Sequence, residues 1–181
     1  AVIEGTPTAS SVYSATGGSQ SIASGRLSFV LGLQGPCMLI DTSCSSGLTA
    51  TSVACSALSL GECPLAVVLA VNLMMAGSVH FSFAIAGMLS ELGRCHTWDA
   101  RADGYARAEN CGGAVLERSD KKDVDVCIPG TAVRCDGRSA SLTAPNGQAQ
   151  RKVIAAALSV AGVQGRAVQT LQAHGTGTAL G

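Results

Sequence analysis

Residues 37–61 have the sequence CMLIDTSCSSGLTATSVACSALSLG, in which an apolar run, a turn of small residues and a helical pattern follow one another. The apolar run at 37–40 is bounded by turn residues on both sides and predicts a short buried strand. From Ser45 onward the apolar residues recur at alternating spacings, which predicts a helix that Gly61 ends. Cys44 therefore lies between the end of a strand and the start of a helix.

The rest of the chain continues this alternation of strands and helices. The apolar run at 65–73 predicts a second buried strand, and a helix between two buried strands is typical of the crossover in a parallel sheet. A later helix is predicted between a cap at Asn146 and a stop at Gly162. The remaining predictions are strands at 111–118, 124–133 and 167–173, a loop at 99–104 and an ambiguous segment at 78–93. This order predicts an α/β fold with a mixed sheet and layered helices.

Charge and length exclude several classes of function. The chain has 181 residues, and 12 Lys and Arg balance 12 Asp and Glu, so no basic excess is available for binding nucleic acid. Charged residues make up 13% of the chain, against a usual share of about 25%. Part of the surface is therefore expected to be covered by a partner. The longest apolar stretch, 65–76, is shorter than the roughly 18 residues that a membrane span needs.

The cysteines favour a reducing compartment. No secretory signal opens the chain and no Asn-x-Ser/Thr sequon occurs, so we expect an intracellular, cytoplasmic protein, with organelle targeting left open. No pair of cysteines has the Cys-x-x-Cys spacing of a common zinc site, so no metal site is predicted. We expect free thiols, most of them small core residues. The eight cysteines are at 37, 44, 55, 63, 95, 111, 127 and 135.

Cys44 is the first candidate for chemistry. The free N–H groups and the dipole at a helix N-terminus favour a thiolate, and a sharp turn between strand and helix exposes a nucleophile beside a backbone N–H. Small neighbours such as Ser43 and Gly47 leave room for an acyl group. A buried structural thiol is the competing interpretation at this stage.

His174 is the second candidate. It follows the predicted strand at 167–173, and sites of open α/β sheets are built at the carboxyl ends of strands. We therefore expect His174 to lie at the same sheet edge as Cys44. Gly175 and Gly177 leave an open path to a ligand, and Thr176 and Thr178 add two hydroxyl groups.

These residues carry a family resemblance. DTSCSSGL at 41–48 and HGTGTALG at 174–181 resemble the β-ketoacyl synthases, the condensing domains of fatty-acid and polyketide synthases. The resemblance implies a partial thiolase-like fold, with the end of the N-terminal half at about 1–120 and the start of the C-terminal half at about 121–181. Five further motifs occur in the family's order, and the last is most similar to type I polyketide synthases: GRLSFVLGLQGP at 25–36, GMLS at 87–90, GRC at 93–95, ADGY at 102–105 and DGRSASLTAPNG at 136–147.

The resemblance also implies a reaction and its residues. Cys44 would accept an acyl group from an acyl carrier protein, with its own N–H in the oxyanion hole. His174 would assist decarboxylation of a malonyl unit in a Claisen condensation, and Thr176 and Thr178 would hold the phosphopantetheine arm. No cofactor would bind directly, because the substrates are carried on phosphopantetheine.

The resemblance implies a homodimer and, in a type I synthase, neighbouring domains. A second catalytic His and a Lys are expected after Gly181, so we expect this segment alone to be inactive.

The same residues do not fit several other functions. The context of Cys44 does not match the Cys-Gly-Ser-Cys-Trp motif of papain-like peptidases, and Thr42 and Ser46 fail the Gly-x-Ser-x-Gly pattern of serine hydrolases. A calcium loop at 99–110 fails because Arg101 occupies a ligand position. Two alternatives stay open: a non-elongating, carrier-binding condensing domain and a thiolase-type acyltransferase.

Overall fold

The computed structural model describes residues 11–120 and 124–178 of the chain. It divides into two compact units, the first formed by residues up to Ala66 with Leu116–Arg118 and the second by Val67–Val115 with the residues from Ser119 onward. The elements are α1 (Ser14–Gly18), α2 (Ser21–Leu31), α3 (Ser46–Leu60), β1 (Leu65–Asn72), α4 (Gly77–Ile85), β2 (Asn110–Glu117), α5 (Gly147–Ala161) and a 3-10 turn at Gly165–Ala167.

Helix α3 organises the first unit and confirms the helix predicted after Ser45. It ends where expected, because Gly61 has a φ of +74° and its N–H donates to the carbonyls of Ala57 and Leu58. Those two side chains are buried. A residue in the left-handed conformation commonly ends a helix, and glycine adopts this conformation without a steric cost.

The strand predicted at 37–40 is wrong, since this segment has no strand in the structure. Met38 and Leu39 are 51% and 43% exposed. A strand exists only where a second strand accepts its backbone hydrogen bonds, and none of the described residues pairs with this segment. The parallel crossover predicted from 37 to 73 is therefore absent as well.

Strands β1 and β2 confirm the runs predicted at 65–73 and 111–118, and they pair with each other. The pair is antiparallel, because the end of β1 lies beside the residues before β2. Asn72 Nδ2 donates to Ala108 O at 2.6 Å, and Glu109 Oε1 accepts from Met74 N at 2.7 Å. The prediction that β1 is buried is wrong, since Val68 is its one buried residue.

The strands predicted at 124–133 and 167–173 are also wrong, because neither segment is a strand. The first of them instead runs close against helix α5. A Cβ added to Gly130 would lie 2.5 Å from Ala161 N and 2.8 Å from Ala157 O. Both segments have the apolar composition of a strand, but no described strand adjoins them to complete a ladder.

The structure also gives the outcome for the ambiguous region, the predicted loop and the cysteines. The ambiguous region contains α4, and the predicted loop at 99–104 is confirmed. All eight cysteines are free, but five are exposed and three are half-buried, so their assignment to the core is wrong. No helix in the described ranges is long and apolar enough to cross a membrane, and no cluster of metal ligands occurs among those residues.

Helix α5 confirms the predicted helix at both ends. Gly162 ends it with a φ of +65°, and the side chain of Asn146 accepts from Gln148 N at 3.1 Å and Ala149 N at 3.3 Å. The same side chain donates to the carbonyls of Asp136 and Arg138. Asn146 thus joins the start of α5 to the preceding turn, and two otherwise unpaired helix N–H groups gain an acceptor.

We expect Asn146→Ala to weaken the first turn of α5 by about 1 kcal/mol, because both N–H groups lose their acceptor. In hydrogen exchange on the full-length polypeptide, amides 148 and 149 should exchange roughly fivefold faster. Asn146→Asp keeps an acceptor oxygen and should retain most of the protection. Equal loss in the two variants would contradict the capping role.

Candidate active site

Cys44 lies in the turn that leads into α3. Its side chain is exposed, and the residue before it, Ser43, has a φ of +59°. A left-handed conformation costs a residue with a side chain roughly 1–2 kcal/mol, so other contacts must hold it in place. Asp41 Oδ1 provides one of them by accepting from Ser43 N at 3.0 Å. The turn leaves the side chain of Cys44 exposed, as predicted from its position before a helix. The strand that was predicted before it is absent.

Hydroxyl groups fix the same turn. Ser46 Oγ donates to Ser43 O at 2.6 Å and accepts from Thr42 N at 2.9 Å. Ser45 Oγ donates to Thr42 O at 2.9 Å. In the described part of the chain the N–H of Cys44 donates no hydrogen bond. This N–H is therefore available to donate a hydrogen bond to a ligand beside the thiol, while hydrogen bonds hold the surrounding backbone in place.

His174 is exposed and begins a loop of alternating glycine and threonine in the second unit. Gly175 and Gly177 have φ values of +52° and +71°, which side-chain-bearing residues rarely adopt. A Cβ on Gly175 would lie 2.7 Å from Thr97 Cγ2, and a Cβ on Gly177 would overlap the carbonyl oxygen of Cys95. Glycine is thus required at both positions, because the backbone is left-handed there and a Cβ would overlap neighbouring atoms.

Two hydrogen bonds anchor this loop to the segment 95–104. Thr97 Oγ1 donates to Gly175 O at 2.6 Å, and Gly104 N donates to Gly177 O at 3.0 Å. The segment 88–90 supports Gly104 in turn, because a Cβ there would lie 2.5 Å from the carbonyl carbon of Leu89. The motifs at 88–90, 95–104 and 174–178 therefore form one contiguous structure within the second unit.

The segment around Thr97 is tightly turned. His96 and Trp98 on either side of it have φ values of +45° and +62°. Asp99 N donates to His96 O at 2.9 Å and closes the turn. The carboxylate of Asp99 holds the next part of the loop through a two-pronged ion pair with Arg101, with Nη2 to Oδ2 at 2.8 Å and Nε to Oδ1 at 3.0 Å.

This ion pair predicts a pH dependence. The hydrogen bonds from the side chain and backbone of Arg101 lower the pKa of Asp99 from 3.8 to about 2. A lowered pKa stabilises the folded loop fully above pH 3.8, and this contribution is lost as the pH falls through about 2. We expect Arg101→Ala to return the pKa of Asp99 toward 3.8, measured on the ¹³C-carboxyl signal of labelled aspartate.

Arg26→Ala is the matched control for this titration, because Arg26 donates to Thr16 O within the first unit, whereas the partner of Asp99 is Arg101. It should leave the titration of Asp99 unchanged. A pKa of Asp99 near 3.8 in the unmodified protein would show that the ion pair does not form.

The structure brings some of the predicted site residues together. Thr176 and Thr178 are half-buried, and their Oγ1 atoms lie 3.2 Å apart. Cys44 belongs to the first unit and His174 to the second, so their meeting at one edge stays a prediction. The sequence analysis missed the role of Thr97. The GRC and ADGY motifs on either side of it were visible, but nothing local indicates a contact 78 residues along the chain.

Comparison with known proteins gives the class to which this arrangement belongs. Residues 3–122 match the family profile "Beta-ketoacyl synthase, N-terminal domain", and residues 126–181 match "Beta-ketoacyl synthase, C-terminal domain". The chain therefore belongs to the β-ketoacyl synthase family. Its structure is a part of the thiolase-like fold of ketosynthase domains.

Similar proteins are type I polyketide synthases. The type I polyketide synthase Pks15/1 of phenolphthiocerol synthesis in Mycobacterium bovis is 47% identical over 174 residues, which are 93% of this chain and 8% of that protein. Erythronolide synthase EryA3 of Saccharopolyspora erythraea is 44% identical, over 93% of this chain and 6% of its own length. The chain thus spans less than a tenth of each of these two relatives.

Solved ketosynthase structures are similar as well. The oxazolomycin ketosynthase domain of Streptomyces albus matches with a TM-score of 0.86 and 36% identity, over 90% of this chain and 30% of that one. The ketosynthase from module 6 of the bacillaene synthase of Bacillus subtilis matches with a TM-score of 0.84 and 33% identity, over the same shares. The chain thus spans under a third of each of these two ketosynthase chains.

Proposed function

We propose that the protein carrying this chain is a β-ketoacyl synthase of polyketide biosynthesis, an acyltransferase that elongates carrier-bound acyl chains by decarboxylative condensation. The observation that carries the proposal is the exposed Cys44 on a turn that hydroxyl groups fix, in a chain of the β-ketoacyl synthase family. The N–H of Cys44 donates to none of the residues that the structure describes. Membership of the family supplies the reaction, and the turn supplies a nucleophile in a suitable setting.

The first half-reaction is acyl transfer to Cys44. The thiolate attacks the carbonyl carbon of an acyl thioester, and the carbonyl oxygen becomes an oxyanion that the free N–H of Cys44 stabilises. The intermediate collapses by releasing the carrier's thiolate, which takes up a proton. Cys44 then holds the acyl group as a new thioester. The small residues around Cys44 leave the approach open.

The second half-reaction forms the carbon–carbon bond. A carrier-bound malonyl unit loses carbon dioxide, and the electron pair of the broken bond forms an enolate whose oxygen accepts a hydrogen bond from His174. The enolate carbon attacks the acyl carbonyl on Cys44, and Cys44 leaves as thiolate. The β-ketoacyl product stays on the carrier. The exposure of His174 supports access by a large, carrier-bound substrate.

We propose that Thr176 and Thr178 bind the phosphopantetheine arm of an acyl carrier protein. Their adjacent, half-buried hydroxyl groups are suited to the amide groups of such an arm. The substrates arrive on the carrier, so the protein itself binds no cofactor in this proposal, and other domains of a type I synthase are its further partners.

A homodimer follows from the same proposal. Apolar side chains such as Phe29, Met75 and Ile85 are 87–88% exposed, and we assign them to contacts with the rest of the full-length polypeptide and with a second copy of it. Sedimentation of the full-length polypeptide as a monomer at micromolar concentration would contradict the dimer. The cytoplasmic location stays a prediction.

Peptide mass spectrometry of the full-length polypeptide tests the proposal. After incubation with a short acyl thioester, the peptide that contains Cys44 should carry the acyl mass. Cys44→Ala should lose the adduct, whereas Cys135→Ala should keep it, since Cys135 is another exposed thiol and lies in the second unit. An adduct spread over several cysteines, or none on Cys44, would refute the proposed nucleophile.

The two alternatives from the sequence are not favoured. Pks15/1 is named as a polyketide synthase and EryA3 as an erythronolide synthase, and the matching structures are named as ketosynthases. A thiolase-type enzyme would acylate Cys44 but would not release carbon dioxide from a malonyl thioester. A non-elongating domain would bind the carrier without forming a carbon–carbon bond.

A further inference from the structure

The position of His174 depends on a loop with little regular structure of its own. Residues 168–178 contain no helix or strand, and Gly175 and Gly177 flank Thr176. Glycine has more conformational freedom in the unfolded chain than any other residue, so this loop needs external contacts to keep one conformation. The hydrogen bond from Thr97 Oγ1 holds the carbonyl of Gly175, the residue after His174, and at 2.6 Å it is short.

Thr97 is itself held on several sides. The left-handed residues His96 and Trp98 flank it, the bond from Asp99 N to His96 O closes its turn, and Cys95 Sγ lies 3.5 Å from Ala106 N. Its methyl group also faces Gly175, because a Cβ there would lie 2.7 Å from Thr97 Cγ2. Thr97 therefore contacts the Gly175 peptide through both its hydroxyl and its methyl group.

We infer that Thr97 is a positioning residue, whose hydroxyl fixes the carbonyl of Gly175, the residue after His174, and thereby aims the imidazole at the enolate oxygen. The inference rests on the proposed function. Because the contacts described for Thr97 are with the loop that begins at His174, the inference predicts an effect on the half-reaction of His174 and none on acylation. A small displacement of a reacting group costs up to about 10²-fold in rate.

Thr97→Val tests this inference, since it keeps the shape and the methyl group but removes the donor. In the full-length polypeptide, acylation of Cys44 should keep its rate within about twofold, which also shows that the variant is folded. Release of carbon dioxide from a malonyl carrier by the acylated enzyme should slow by roughly 10- to 100-fold. Thr97→Ser restores the donor and should recover most of the rate.

Four results would overturn the inference. Thr97→Val could condense at the unmodified rate, or both half-reactions could slow equally, which a purely structural role would produce. Thr97→Ser could be as slow as Thr97→Val, so that the hydroxyl is not the active feature. Failure of the unmodified protein to acylate Cys44 would refute the proposed function itself, and the positioning role with it. If Thr97→Val is insoluble, Thr97→Ala is used in its place, because it removes the same hydrogen-bond donor.

Discussion

Replacing Cys44 by alanine should abolish condensation, with a fall in rate of about 10⁴-fold or more. The expected loss is this large because no other group can form the thioester that links the two half-reactions. The measurement is the rate of β-ketoacyl product formation by the full-length polypeptide, given an acyl thioester and a malonyl carrier.

Cys135→Ala is the control, because it also removes an exposed thiol but lies in the second unit, whereas Cys44 lies in the first. It should retain the unmodified rate. Condensation that persists in Cys44→Ala at more than a few per cent would show that another residue holds the acyl group, and the assignment of Cys44 would be wrong.

Replacing Gly177 by alanine should have the second largest effect. The substitution places a Cβ against the carbonyl oxygen of Cys95 and forces alanine to a φ of +71°. The conformation costs about 1 kcal/mol and the backbone overlap a further 1–3 kcal/mol. The bond from Gly104 N to Gly177 O should break, which would displace the whole loop that begins at His174.

Hydrogen exchange at Gly104 and the condensation rate measure this displacement. We expect faster exchange of the Gly104 amide and a loss of condensation of roughly 10²-fold, with acylation of Cys44 preserved. Gly137→Ala is the matched control, because Gly137 has a φ of +65° but nothing within 4 Å of an added Cβ. It should cost only the conformational strain, and an equally large loss of condensation in this control would contradict the steric explanation.

The helices could be predicted from the sequence because their determinants are local. The hydrogen bonds of α3 and α5 lie within each helix, and both end at a glycine that adopts the left-handed conformation. Asn146 was also visible as a cap, since a cap acts on residues two and three positions later. A window of about 15 residues therefore contains nearly everything that defines such a helix.

The strands depended on partners that a local pattern does not show. The runs at 37–40, 124–133 and 167–173 have strand-like composition, but none forms a strand in the described residues. The composition of the runs at 65–73 and 111–118 is no more typical of strands, and these runs form strands because they pair with each other. The cysteines were misplaced for a related reason, since burial depends on which surfaces meet and not on the apolarity of a side chain.

The candidate site was predictable where a motif carries its own chemistry. Cys44 precedes a helix, His174 precedes alternating glycine and threonine, and both features are local. The contact between Thr97 and Gly175 was not predictable, because it joins two loops 78 residues apart and neither loop has a periodic pattern. Residues that position a reacting group are harder to find than the group itself, since their chemistry is ordinary and only their placement matters.

The most direct test of the account uses the full-length polypeptide with Cys44 already acylated. On addition of a malonyl carrier, we predict equal amounts of released carbon dioxide and β-ketoacyl carrier, measured by gas trapping and by mass spectrometry of the carrier. His174→Ala should keep the acyl group on Cys44 and form no product. Transfer or hydrolysis of the acyl group without a new carbon–carbon bond would contradict the account and favour a non-elongating domain.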